Sequence, residues 1–155
     1  MRWTYILAAV LSLGFASAAM AAGSTSSSTK PAKTSNFEQG VAAVKAESYD
    51  RAIVLLQKVV AVEPKNADAW NFIGFSHRKL NKFDRALPAY NKALAIDPKH
   101  RGANEYLGEL YLQLGDLAKA EERLEKLDDI CLFGCGEYND LKAAIEAYKS
   151  GEVSG

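Results

Sequence analysis

Apolar residues recur at helical spacing in segments that follow one another in pairs along most of the chain. In "AWNFIGFSHRKL" and "FDRALPAYNKALAI" they fall three and four positions apart, so each segment carries one apolar face and reads as an amphipathic helix. Turn-tolerant stretches, "AESY", "LNKF" and "LGDL", separate the two helices of each pair. The pairs repeat with a fixed step. Gly40, Gly74 and Gly108 lie 34 residues apart, as do Ala52, Ala86 and Ala120; Tyr49, Phe83 and Leu117; and Leu56, Tyr90 and Leu124; Pro64 and Pro98 keep the same step. A constant period of this size predicts an all-α solenoid of stacked antiparallel helix hairpins, about seven helices, in which no hairpin buries its apolar face alone. Gly74 and Ala86 are small where the two helices of a hairpin approach closely. Asp97 ends a helix because the residue before proline is pushed out of α geometry.

Three departures from the period carry expectations. Pro88 lies inside a predicted helix, where it removes one backbone hydrogen bond and is expected to kink it. Glu121 and Asp128 stand where the earlier repeats have Ile53 and Leu87, and Val60 and Leu94, so the last second helix is expected to pack less fully. "EYNDLKAAIEAYKSG" continues the register, with Tyr138 and Leu141 one period beyond Asn104 and Leu107. Lys142 replaces the packing glycine there and no second helix follows. The segment is expected to cap the stack with a polar outer side.

The middle unit, "ADAWNFIGFSHRKLNKFDRALPAYNKALAIDPKH", resembles the tetratricopeptide repeat family. Trp70, Ile73 and Gly74 match its W-x2-L-G, Ala86 and Tyr90 its A-x3-F, and Pro98 closes the unit; His77 stands in place of the usual Tyr. The resemblance divides residues 36–132 into repeats at 33–66, 67–100 and 101–134, with a capping helix at 135–150. It implies a non-enzymatic adaptor whose first helices line a concave groove for a peptide or protein segment. Carried over by position, the groove residues are Phe37, Val41, Val44 and Lys45, then Asn71, Phe75, Arg78 and Lys79, then Glu105, Glu109, Leu112 and Gln113. The Lys, Asn and Arg set with which some members clamp a terminal carboxylate is absent: Phe37 and Val41 hold its first two positions, and Gly102 and Tyr106 its last two. The groove is expected to run from apolar through basic to acidic, taking an apolar anchor near Phe37, Val41 and Phe75 and a basic ligand residue near Glu105 and Glu109. Phe37, Val41 and Val44 read equally as a cover for the open start of the stack, or as a contact with a second copy of the chain.

The N-terminus adds a compartment. "MRWTYILAAVLSLGFASAAMAAG" has a basic start, an apolar run and a small-residue tail, the three parts of a cleavable signal peptide over residues 1–21. Its apolar run is short for a membrane span, which needs about 20 residues, so no stable span is expected after cleavage. "GSTSSSTKPAKTS" is poor in apolar residues and reads as a disordered linker over 22–35. The expected location is the periplasm, or outside the cell where no outer membrane exists.

Composition narrows the chemistry. Basic and acidic residues balance at 19 each, which argues against nucleic acid or anionic membrane as partners. No HExxH, nucleophile elbow or phosphate-cradling glycine loop is present, so neither catalysis, cofactor nor metal is expected. His77 is expected to be buried and hydrogen-bonded, and His100 to lie in a turn. Cys131 and Cys135 flank Leu132, which occupies the place of Pro64 and Pro98. In an oxidising compartment a structural disulfide is expected, pinning the cap to the last repeat. A Cu(I) site or a thiol-redox pair on the same two cysteines is the alternative reading.

Overall fold

The computed structural model describes residues 35–132 and 134–151. They form α1 (Asn36–Lys45), α2 (Tyr49–Val62), α3 (Ala67–Lys79), α4 (Phe83–Ile96), α5 (Arg101–Gln113), α6 (Leu117–Ile130) and α7 (Gly136–Ser150). The signal peptide expected over residues 1–21, and the linker up to residue 34, lie outside the described residues. Ser35, assigned to that linker, instead caps α1: its hydroxyl accepts from the Glu38 amide at 3.1 Å, and the Glu38 carboxylate accepts from the Ser35 amide at 2.7 Å. This reciprocal capping box satisfies two of the donors that a helix start leaves free.

The period is written into the backbone. Glu47, Asn81 and Gly115 close the first helices of the three hairpins with φ of 55°, 57° and 78°. One residue on, the amides of Ser48, Lys82 and Asp116 donate back to the carbonyls of Ala43, His77 and Tyr111. Each hairpin thus turns through the same left-handed cap, although only the third has glycine there. Between repeats, Asn66 caps α3 and His100 caps α5, each accepting from the amide three residues on. Trp70 Nε1 donates to the Pro64 carbonyl at 3.0 Å, and one period later Asn104 Nδ2 donates to that of Pro98 at 3.3 Å.

Each first helix packs on its own second helix and on the first helix of the next repeat, so that α1 meets α3, α3 meets α5 and α5 meets α7. Among the described residues α2, α4 and α6 do not meet one another. First helices that converge while second helices diverge curve the stack, with α1, α3 and α5 on its inner side. A Cβ added to Gly40 would lie 2.8 Å from Leu56, and one added to Gly74 would lie 2.7 Å from the Tyr90 ring. These two glycines therefore let each first helix close on its second.

The third repeat differs. The neighbour of Gly108 is Leu141 of α7, 2.5 Å from its would-be Cβ, and not the periodic Leu124. The cause is in α6, which buries only Ala120 and Leu127 and leaves Glu121 and Asp128 exposed. With little apolar surface to offer α5, it leaves room for α7, whose Leu141 and Ile145 complete the last core with Leu112. Lys142 is exposed where a further second helix would pack. Pro88 does not end α4: the helix continues to Ile96 with the proline on its exposed side, where water can reach the unbonded carbonyl of Asp84.

Candidate functional site

The inner face is organised around Arg78. Its guanidinium pairs with Glu109 at 2.5 Å and lies 5.5 Å from the Phe75 ring and 5.6 Å from that of Tyr106. The two rings are themselves 4.9 Å apart, and Phe75 also meets Tyr49 edge-on at 6.1 Å. Helical spacing makes this possible, since Phe75 and Arg78 are one turn apart on α3, as are Tyr106 and Glu109 on α5. A charge held between aromatic faces and a carboxylate is pre-organised rather than free to swing. Arg78 is 7% exposed and its Nε has no hydrogen-bond partner. Beneath it the Tyr90 hydroxyl is buried, near the guanidinium but without a hydrogen bond, and burial pushes its pKa up.

Beside this cluster, Asn71 is 4% exposed, with its amide nitrogen against Gly102 and its Oδ1 without a partner. Glu105, one turn on from Gly102, is 7% exposed. Burial, followed by the like charges of Glu109, Asp140 and Glu137, pushes its carboxyl up to about 8; Arg78 opposes this only in part. Glu137 and Asp140 belong to α7, and the nearest cation to Glu137 is Arg101, at a loose 3.6 Å.

Not every expected groove residue takes its place here. The fold brings Asn71, Phe75, Arg78, Glu105 and Glu109 together. Phe37 and Val44 lean on the first core cluster, with the Phe37 and Phe72 rings 6.2 Å apart, while Val41 stays half-buried. Lys45, Lys79 and Gln113 are exposed at the helix ends. Leu112 is corrected outright: α7 covers it, and it belongs to the last core. Of the expected basic middle, Arg78 is paired with Glu109 and buried, while Lys79 stays exposed. Tyr49, Glu137 and Asp140 were missed beside this cluster, and Tyr106 was placed only at a clamp position of the family. Asp140 lies one period beyond Tyr106, so reading α7 as a continuing first helix, not only as a cap, would have found it.

His77 is buried as expected, but its Nδ1 has no partner, and burial lowers its pKa, helped by Arg85 and Lys82. His100 is more than a turn residue. Its Nδ1 accepts the Ala103 amide, so its Nε2 carries the proton that meets Asp68 at 3.0 Å. Cys131 closes α6 and Cys135 opens α7, with their Cα atoms 5.7 Å apart and their sulfurs in contact. Among the described residues, no three His, Cys, Asp or Glu side chains form a metal-binding set, and no helix is long and apolar enough to cross a membrane. A cleft of about 490 Å³ between α6 and α7 is lined by Glu121, Glu122, Glu125, Asp128 and Tyr138, but these carboxylates are exposed and no buried polar group serves it.

Comparison with known proteins agrees with this geometry. The tetratricopeptide repeat family matches residues 67–100 and again 107–131. No curated protein sequence matches the chain. Among solved structures, the chain is similar to PcrH in complex with the chaperone-binding region of PopD, at 20% identity over 76% of this chain and 91% of that one, with a TM-score of 0.66. It is similar to the first repeat domain of Spaghetti (RPAP3) bound to the HSP90 peptide SRMEEVD, at 23% identity, 74% and 90% coverage and a TM-score of 0.65. The type III secretion translocator chaperone SycD of Yersinia enterocolitica aligns at 18% identity, 76% and 83% coverage and a TM-score of 0.66. At such identities the likeness speaks for the fold, and with the two family matches and the repeated caps it leads to one conclusion: residues 67–100 and 107–131 are tetratricopeptide repeats, in a chain with the tetratricopeptide repeat fold.

Proposed function

We propose that this chain is a non-enzymatic adaptor that holds an extended protein or peptide segment against the inner face of α1, α3 and α5, and that it works in the cell envelope. The observation that carries the reading is the Phe75–Arg78–Tyr106–Glu109 cluster with its unpartnered neighbours. Buried polar atoms left without partners cost about 1–3 kcal/mol each, and a stack that only needed to be stable would fill those positions with apolar residues. The PcrH and RPAP3 structures, in which such a fold is captured with a bound segment, support the same use here.

The envelope location rests on the tripartite N-terminus and the cysteine pair. We read Cys131 and Cys135 as a disulfide that staples α6 to α7, because their backbone separation falls in the disulfide range. Mass spectrometry of thiol-blocked protein from the producing cell checks both points: an N-terminus at Ala22 and no alkylated cysteine are expected. An intact Met1 rules out the export reading, and two alkylated cysteines return the thiol or Cu(I) reading to consideration.

Site-specific photocrosslinking in the producing cell tests the adaptor role. p-Benzoylphenylalanine at Phe75, on the inner face, is expected to trap a discrete protein adduct, whereas the same probe at Val54, 53% exposed on α2, is not. Equal adducts from both positions, or none from Phe75, remove the groove as the working surface.

A further inference from the structure

Resting on the adaptor reading, we infer that the groove selects a segment carrying a lysine or arginine, whose cationic head is received by Glu105 together with Glu137 and Asp140 of α7. The groups that converge there are acceptors. Glu105 is 7% exposed, its carboxyl makes no hydrogen bond or ion pair among the described residues, and it lies among carboxylates. Glu109 is already committed to Arg78. Asp140 has no ion-pair partner among the described residues, and Glu137 has only the loose contact with Arg101. The end of the groove is therefore short of positive charge by more than its own side chains supply. A guanidinium or ammonium corrects that deficit and donates to Glu105 and to the carboxylates of α7. An acidic or carboxylate-ended segment, like the SRMEEVD peptide held by the RPAP3 domain, would add negative charge beside Glu105, Glu137 and Asp140.

The capping helix thereby becomes part of the site. It seals the last core with Leu141 and also contributes two of the carboxylates. Binding is tied to protonation as well. Tyr106 and Glu109 of α5, Arg78 of α3, and Glu137 and Asp140 of α7 face Glu105, whose carboxyl sits near 8 in the free protein. A bound cation draws it into the ionised form, so affinity rises with pH up to that value and falls below it.

An array of random N-acetylated decapeptides, probed at pH 9 with the labelled full chain, tests this. Acetylation leaves side chains as the main source of positive charge. Bound peptides are expected to be several-fold enriched in lysine and arginine and depleted in aspartate and glutamate. For the best lysine peptide, affinity is expected to fall roughly tenfold between pH 9 and pH 7, following the ionised fraction of Glu105. Glu105→Gln is expected to weaken it about tenfold at pH 9, and Asp140→Asn, at an exposed position where folding is safe, about threefold. Binders with no basic preference, or with an acidic one, overturn this inference while leaving the groove in place. Failure of the folded wild type to bind any peptide removes the groove reading, and this inference with it.

Discussion

Replacing Gly74 by alanine probes the closest helix approach in the stack. The added Cβ would sit 2.7 Å from two ring carbons of Tyr90 and 3.0 Å from a third. Tyr90 is fully buried, and its ring is flat and rigid, so it cannot swing aside as the end of a flexible side chain does. Forcing a methyl group into such a contact costs about 1–3 kcal/mol. Alanine in mid-helix returns about 1 kcal/mol over glycine. At the middle of the steric range, about 2 kcal/mol, the clash wins by about 1 kcal/mol, or roughly 4–8 °C in Tm for a domain of this size. Gly136→Ala is the control: nothing lies within 4 Å of its would-be Cβ, so only the backbone gain of about 0.5 kcal/mol remains. Thermal and urea melts followed at 222 nm read both. If Gly74→Ala matches or exceeds the parent in stability, the claim that these glycines are set by close helix packing is wrong.

Glu47 holds the left-handed turn that Gly115 holds in the third hairpin; a side chain there costs about 1–2 kcal/mol, set against about 0.5–1 kcal/mol of glycine entropy, so Glu47→Gly is expected to stabilise by about 0.5–1 kcal/mol in urea melts. The Glu105 carboxyl rises in the fold from 4.5 to about 8, so the native state keeps a proton that the unfolded chain releases. The stability it contributes is complete below about pH 4 and is withdrawn as pH climbs towards 8. The Tm difference between Glu105→Gln and the parent should therefore change steadily from pH 5 to 8, and a flat difference contradicts the assignment. His77, lowered by burial, acts with the opposite sign, losing stability as pH falls, but it is common to both proteins and cancels. With the disulfide in place, Cys131→Ser with Cys135→Ser is expected to cost roughly 2 kcal/mol. Hydrogen exchange should then show α7 opening before α3, and uniform loosening of all helices would argue against a staple at the cap.

The hairpins were legible because one pattern is printed three times, and each copy confirms where its neighbours turn and close. The caps were legible in principle too: Asn66 and His100, like Glu47, Asn81 and Gly115, share the period with the glycines. What the pattern hid came from contacts between repeats. Arg78 reads as a free basic lining residue until Glu109 and Tyr106, on the next repeat, enclose it. Leu112 reads as groove lining until α7 lies on it. That placement of α7 depends on how much apolar surface α6 offers, and the loss at Glu121 and Asp128 was visible while its structural answer, Leu141 against Gly108, was not. The high value at Glu105 likewise needs Glu137 and Asp140, which are remote in sequence and come close only through that packing.

The account stands or falls on the inner face. Backbone amide shifts of isotope-labelled protein, titrated with the tightest decapeptide from the array, test it most directly. Changes are expected on the inner face of α3 and α5 and at the start of α7, centred on Phe75, Arg78, Glu105 and Asp140. Changes on α2 and α4, or confined to the acidic cleft around Glu122 and Glu125, would contradict it.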